Sequence, residues 1–268
     1  MTDTLTPGTL TADEADAFRE RCRTFLEQHT ASIGRRDIEA TKEFQGALAD
    51  AGLAGLSYPT EYGGAGLTAE HERIWRAVAQ EFPTMNADLV ISHGMCLPVL
   101  DEFGTEEQKR TFMPDNISAK TVWCQMFSEP GAGSDVASLQ TKAERDGDEW
   151  ILNGQKVWTT LAHVSDYGII IARTDPDQPK HAGISMFIID MRAPGVEIRP
   201  IHQIDGGSHF NEVFFSDVHI PKDWLIGDLN NGWNLATAML MYERVAIGGA
   251  GAGKLNQPQF KMLLKAAK

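Results

Sequence analysis

The chain has 268 residues, 42% of them hydrophobic and 23% charged, enough to bury one large core or two smaller ones. Its formal charge of −13 opposes nonspecific nucleic-acid binding, which draws affinity from Lys and Arg displacing counterions along phosphates. No apolar run approaches the roughly 18 residues of a spanning helix, and the opening "MTDTLTPGTL" has neither a basic start nor an apolar stretch, so neither a membrane span nor export is expected. Cys22, Cys96 and Cys124 are scattered, odd in number and without CxxC spacing, which argues against a disulfide framework and fits a reducing cytoplasm. The eight histidines show no paired ligand spacing, so no metal is expected.

Up to about residue 118 the apolar spacing is helical. A capping box at Thr11 and Glu14 opens a first helix with Ala15, Phe18, Cys22, Phe25 and Leu26 on one face. Ile38, Phe44, Leu48 and Ala51 form a second face closed by Gly52. Ile74, Trp75, Val78 and Phe82 form a third, and Leu89, His93, Leu97, Leu100 and Phe103 a fourth that Gly104 can end. "SYPTEYGGAG" between the second and third reads as a loop.

From about residue 121 the period shortens. "TVWCQMF", "EWILNG", "YGIIIAR", "GISMFIID" and "NEVFFSDVHIP" read as strands, and "RDGDEWILNGQKVW" carries turn signals on both sides of one strand, as in consecutive hairpins. At Asn231-Gly-Trp the pattern turns helical again, with Leu235, Met239, Tyr242 and Val245 on one face, and runs to "FKMLLKAAK". The expected class is α+β multidomain: an all-α domain (1–120), a β-barrel-like domain (121–228) and a stub of amphipathic helix (229–268), either the start of a truncated C-terminal helical bundle or one completed by another subunit's helices.

Within the β-domain, "FSEPGAGSDV" sets Pro130, which fixes φ, beside Gly131 and Gly133, which can take positive φ and let a ligand approach bare backbone. Such a loop also serves plain topology. "WTT" at Trp158, Thr159 and Thr160 offers a flat ring and two hydroxyls to a planar heterocycle, or merely ends a half-buried strand. "GGAGAGK" at 248–254 imitates a phosphate-binding loop, but Leu255 stands where Ser or Thr is needed and a helix precedes it, so close helix packing explains it better. Glu243 and Arg244 are adjacent on the last helix and roughly 100° apart, which suits an interface ion-pair network as well as a catalytic carboxylate.

Together these residues resemble the acyl-CoA dehydrogenase flavoprotein family. "FSEPGAGSDVASLQTKAERDGDEWILNGQKVWTT" looks like its flavin-binding signature, "HFNEVFFSDVHIPKDWLIGDLNNGW" like the end of its β-domain, and "YPTEYGG" at 58–64 like a segment of its N-terminal domain. The resemblance implies FAD as cofactor and oxidation of the Cα–Cβ bond of an acyl-CoA thioester. By the same resemblance, Gln125, Met126, Phe127, Ser128, Gly133 and Ser134 would embrace the isoalloxazine, with Ser128 at its pyrimidine side and Ser134 also meeting the CoA portion. Trp158 would pack near the ring, Thr159 beside it, and Thr160 would offer a hydroxyl near N5.

The Glu-Arg pair resembles that of isovaleryl-CoA and long-chain acyl-CoA dehydrogenases, which implies Glu243 as base and Arg244 as its electrostatic neighbour at the substrate. The family's C-terminal helical domain completes the acyl pocket and forms a tetramer core, and only its first helix is expected within 268 residues. The implied partners are an acyl-CoA, an electron-transfer flavoprotein and further subunits, identical or different. Two other readings stand beside this one: an acyl-CoA oxidase-like flavoprotein, and a non-catalytic subunit of a hetero-oligomeric flavoprotein.

Overall fold

A computed structural model describes residues 10–29, 37–82 and 86–252, the side chains of 86–87 and 248–252 excepted. The helices come first: α1 (Ala12–His29), α2 (Ile38–Asp50), α3 (Ala69–Ala79), α4 (Leu97–Phe103) and α5 (Glu106–Ile117). The capping box forms, with Thr11 donating N–H and hydroxyl to the Glu14 carboxylate at 2.9 and 2.8 Å and the Glu14 N–H returning to Thr11 Oγ1 at 3.3 Å. Phe18, Cys22, Phe25 and Leu26 then bury one face of α1. Asp37 caps α2 by accepting the Ala40 N–H at 2.8 Å, and Gly52 follows it with a left-handed φ of 63°.

The fourth apolar face is not one helix. A 3-10 turn at Asn86–Leu89 and a π turn at Ser92–Cys96 precede α4. A π turn inserts one residue into a helical run, which re-aims everything after it. Gly104 does end α4, but with φ −70° rather than a left-handed cap; a Cβ there would lie 2.5 Å from the Leu100 carbonyl oxygen. The periodicity gives α5 no face of its own, because its buried set mixes Gln108 and Asn116 with Phe112, Met113 and Ile117.

The strands are β1 (Trp123–Met126), β2 (Lys142–Asp146), β3 (Glu149–Thr160), β4 (Tyr167–Arg173), β5 (Ile184–Asp190), β6 (Val196–Ile201), β7 (Phe210–Pro221) and β8 (Leu225–Ile226). They make one eight-stranded sheet ordered β6-β7-β3-β2-β4-β5-β8, with β1 parallel to β4. The hairpin turn signal at Gly147, φ 59°, joins β2 to β3 as antiparallel neighbours. Leu152, Ile170, Phe187, Val213 and Val218 enclose a core inside the sheet. Ile169, Ile171, Met186 and Ile188, on the other faces of β4 and β5, belong to the helical core. Burial on both sides explains why these two strands read as unbroken apolar runs. β6, with Pro200 in it and an alternating half-buried pattern, is an edge strand, so its apolar signal is weak.

The two layers meet at an aromatic cluster. Phe112 sits 5.5 Å from Trp123, 5.4 Å from Tyr167 and 5.4 Å from Trp224. Gln108 reaches across from α5 and donates Nε2 to the carbonyls of Asp223 and Leu225 at 2.6 and 2.9 Å.

A last helix, α6 (Gly232–Ala252), buries Leu235, Ala236 and Met239. Val245 does not share this face: it is 71% exposed. From Leu235 a helix at roughly 100° per residue returns to the same side at Met239, Tyr242 and Ala246, whereas Val245 falls some 80° away. The tail "FKMLLKAAK" lies outside the described residues. Among them, no helix is long and apolar enough to cross a membrane, and no His, Cys, Asp and Glu side chains group as metal ligands.

Candidate functional site

The loop after β1 is built as a tight turn. Glu129 and Ala132 exchange both backbone hydrogen bonds at 3.0 Å around Pro130 and Gly131, with Pro130 supplying the fixed φ. Neither Gly131 nor Gly133 takes a positive φ, contrary to the expectation from their spacing. The two-residue turn closes without it. The other expected property, clearance, is present: a Cβ on either would meet nothing within 4 Å, so the backbone lies open to a ligand.

β3 presents the second half of the site. Its inward positions are Trp150, Leu152 and Lys156, and continued alternation would turn Trp158 inward too. Instead the ladder to β7 runs from Lys156↔Val213 to Thr159↔Asn211, three residues against two. This β-bulge, with Trp158 at φ 60°, puts the indole out at 60% exposure and Thr159 inward. The Trp158 ring rests edge-on against Phe210 at 6.1 Å.

The two halves are joined. The Val157 N–H donates to the Ser128 carbonyl at 2.9 Å, and Lys156 Nζ donates to the Phe127 carbonyl at 3.0 Å and to Glu129 Oε1 at 2.8 Å. The structure therefore brings Phe127, Ser128, Gly133, Trp158, Thr159 and Thr160 onto one connected unit. Met126 and Phe127 turn their side chains into the core and can offer only backbone, while Gln125 and Ser128 are half-buried and Ser134 is exposed. Among the described residues, the Thr159 hydroxyl and Asn211 Oδ1 are buried without a partner, although Asn211 Nδ2 donates to the Thr159 carbonyl at 2.9 Å. Buried polar atoms of this kind call for a partner. Open backbone, an exposed indole and hydroxyls suit a flat, polar heterocycle.

Lys156, Glu129 and Asn211 were not among the residues singled out from the sequence. Lys156 had a signal, being a lysine at an inward strand position. Burial outweighs the pull of Glu129 and brings its amine down to about 8. Glu129 is also buried; burial alone would raise its carboxyl, but the Lys156 charge and the N–H groups of Gln140 (2.6 Å) and Thr141 (3.0 Å) hold it below the usual range.

Beside the loop, Lys142, Arg173 and Lys180 line an open basin of about 480 Å³ with Ser138, Gln140 and Thr174. Lys180 is paired with Asp135 of the loop, and Arg173 donates to the carbonyls of Ala137, Lys180 and Ala182.

Glu243 stands apart, half-buried on α6. The Tyr242 hydroxyl donates to the Glu102 carboxylate of α4, and burial, then that bond, push the phenol up to about 12. Arg244 is exposed and turns toward Met241 Sδ at 3.3 Å, so the adjacent pair points apart as helical geometry requires. No hydrogen bond or ion pair joins Glu243 to the cradle among the described residues.

Helical layer, eight-stranded sheet and signature loop match the acyl-CoA dehydrogenase family: its N-terminal domain model matches residues 12–120 and its middle domain model residues 124–218, and the chain belongs to that family, whose members are flavoproteins. The acyl-CoA dehydrogenase FadE34 of Mycobacterium tuberculosis is 46% identical over 220 residues, 82% of this chain and 31% of that protein. The solved Tcur3481-Tcur3483 steroid ACAD superposes with a TM-score of 0.76 at 30% identity, covering 98% of this chain and 69% of that one. The ChsE4-ChsE5 complex from Mycobacterium tuberculosis gives 0.70 at 32% identity, covering 91% and 62%. The chain spans 31% to 59% of the length of the curated relatives it matches.

Proposed function

We propose that the chain acts in FAD-dependent oxidation of an acyl-CoA thioester to the trans-2-enoyl-CoA, with Glu243 taking the Cα proton. The observation that carries this reading is the joined cradle: an open-backbone loop held against a strand end that presents Trp158, Thr159 and Thr160. FAD, when bound, supplies the acceptor for the hydride leaving Cβ. The loop backbone of Gln125 to Ser134, the Ser128 hydroxyl and the Thr160 hydroxyl hold and orient the ring, and the exposed Trp158 indole packs against it.

Glu243 acts as a carboxylate base that takes the Cα proton when the thioester lies within hydrogen-bond reach. Arg244 supplies a cation one position on, favouring the negative charge that develops on the substrate. In a chain of net charge −13, the phosphates of CoA need local cations, and the Lys142, Arg173 and Lys180 basin, tied to the loop through Asp135, supplies them. An electron-transfer flavoprotein would be the partner that accepts the electrons, and a reducing, cytoplasmic setting suits the three free thiols.

The test is anaerobic titration of the FAD-loaded full-length protein with a panel of acyl-CoA thioesters, following flavin bleaching. The steroid designation of one structural neighbour makes a steroid-bearing thioester the first candidate, beside straight and branched chains. If no thioester bleaches the flavin, the dehydrogenase reading fails. Rapid peroxide formation in air without an added acceptor would favour the oxidase-like alternative.

A second reading, a subunit of a hetero-oligomeric flavoprotein, is favoured by one observation. Met241, Val245 and Ile247 are exposed on α6, and two structural neighbours are described by paired names. Turnover by a homo-oligomer with stoichiometric FAD would remove the reading of a non-catalytic subunit.

A further inference from the structure

Lys156 is fully buried, and among the described residues its charged partner is Glu129, itself 7% exposed. A lone buried ion pair of this kind seldom stabilises a fold on balance, because desolvating two charges offsets most of their attraction. Its connections indicate a different use. The Glu129 carboxylate gathers three segments: its own loop, β3 through Lys156 Nζ at 2.8 Å, and the run into β2 through the N–H groups of Gln140 at 2.6 Å and Thr141 at 3.0 Å. Lys156 then takes a second loop residue, donating to the Phe127 carbonyl at 3.0 Å. Both residues flank the open features of the cradle: Glu129 begins the Pro130–Gly131 turn, and Lys156 is the last paired residue before the bulge that turns Trp158 outward.

We propose that Lys156 and Glu129 are a positioning pair, fixing the bare backbone of the 129–134 loop against the Trp158–Thr160 strand end in the arrangement that receives the flavin ring. The inference rests on reading this unit as a flavin cradle. Neither side chain touches the ring in this account; both act through the backbone they hold. The ammonium geometry is met by one carboxylate and one carbonyl, and the carboxylate by one ammonium and two amides, so replacing either member alone leaves the other buried and unmatched.

The test uses the full-length protein and three variants: Glu129→Gln, Lys156→Met, and the two combined. Three quantities are read: FAD dissociation constant by fluorescence, the position of the flavin's visible absorption maximum, and melting temperature. Each single variant is expected to lose stability and to bind FAD roughly tenfold or more weakly. The double variant removes both charges, so its melting temperature recovers toward the parent, while its FAD affinity stays weakened and its absorption maximum stays displaced. A double variant with parental melting temperature, affinity and spectrum would overturn the pair's positioning role and leave it a structural contact. A parent that binds no FAD would instead overturn the cradle reading itself. Should the variants not accumulate as folded protein, hydrogen exchange on the FAD-free parent decides: slow exchange at the Gln140 and Thr141 amides supports a preformed staple, and fast exchange there overturns it.

Discussion

The cradle and α6 carry the two halves of the proposed chemistry, and they are built on opposite plans. In the cradle, each segment is tied to the next by named bonds: Glu129 to Ala132, Val157 to Ser128, Lys156 to Phe127 and Glu129. α6 is held at its start, where Leu235, Ala236 and Met239 are buried and Asn230 donates its N–H to Ser185 Oγ at 2.8 Å, and it becomes steadily more exposed toward Val245 and Ile247. A sheet can preorganise a cofactor seat from within. A helix with one face uncovered leaves the setting of its carboxylate to whatever packs there.

The strongest way to break this comparison is Glu243→Gln. Removing a general base is expected to slow flavin bleaching by thioester by about 10²–10⁴-fold, while FAD affinity stays at the parental value. Bleaching at the parental rate in a stopped-flow measurement removes Glu243 as base; lost FAD affinity would mean that the two halves are not separate.

Next in size is Gly94→Ala. A Cβ on Gly94, within the π turn, would sit 2.7 Å from Ala246 Cβ, one helical turn beyond Glu243. Overpacking there is expected to cost about 1–3 kcal/mol in denaturant unfolding. Adding Ala246→Gly should recover much of that loss. An unchanged unfolding midpoint for Gly94→Ala would show that α6 is not set by this contact.

The smallest effect is a pH dependence confined to the cradle. Lys156 titrates at about 8 in the folded protein, lowered by burial, whereas in an unfolded chain it titrates near roughly 10.4. Between those values the unfolded chain holds a proton that the folded one lacks, so the unfolding free energy rises with pH; below pH 8 the burial penalty is present in full. The parent is therefore expected to gain stability relative to the Glu129→Gln, Lys156→Met double variant as pH rises from 8 toward 10. A flat difference across that window would contradict it.

Much of this was legible in the sequence, for identifiable reasons. Doubly buried strands such as Ile169–Ile171 announce themselves by unbroken apolar runs, and Thr11 with Glu14 fixes a helix start through local bonds. The edge strand β6 and the mixed helix α5 were not legible, since Pro200 interrupts the first and buried Gln108 and Asn116 break the apolar period of the second. Of the two properties expected of Gly131 and Gly133, the structure has the clearance over bare backbone and not the positive φ. The outward turn of Trp158 depends on a register shift against β7, which no local pattern encodes, and the Lys156–Glu129 pair joins residues 27 apart in the chain.

The bulge in β3 makes the site a matter of residue count as much as residue type. With one residue fewer between Lys156 and Thr159, β3 could pair evenly with β7, and simple alternation would resume. Deleting Val157 would then change no side chain named in the cradle, and alternation would still turn Trp158 outward, but without the left-handed kink that now sets the direction of its indole. In this family member a deletion of one codon at that point would re-aim the indole while leaving every residue type beside it unchanged.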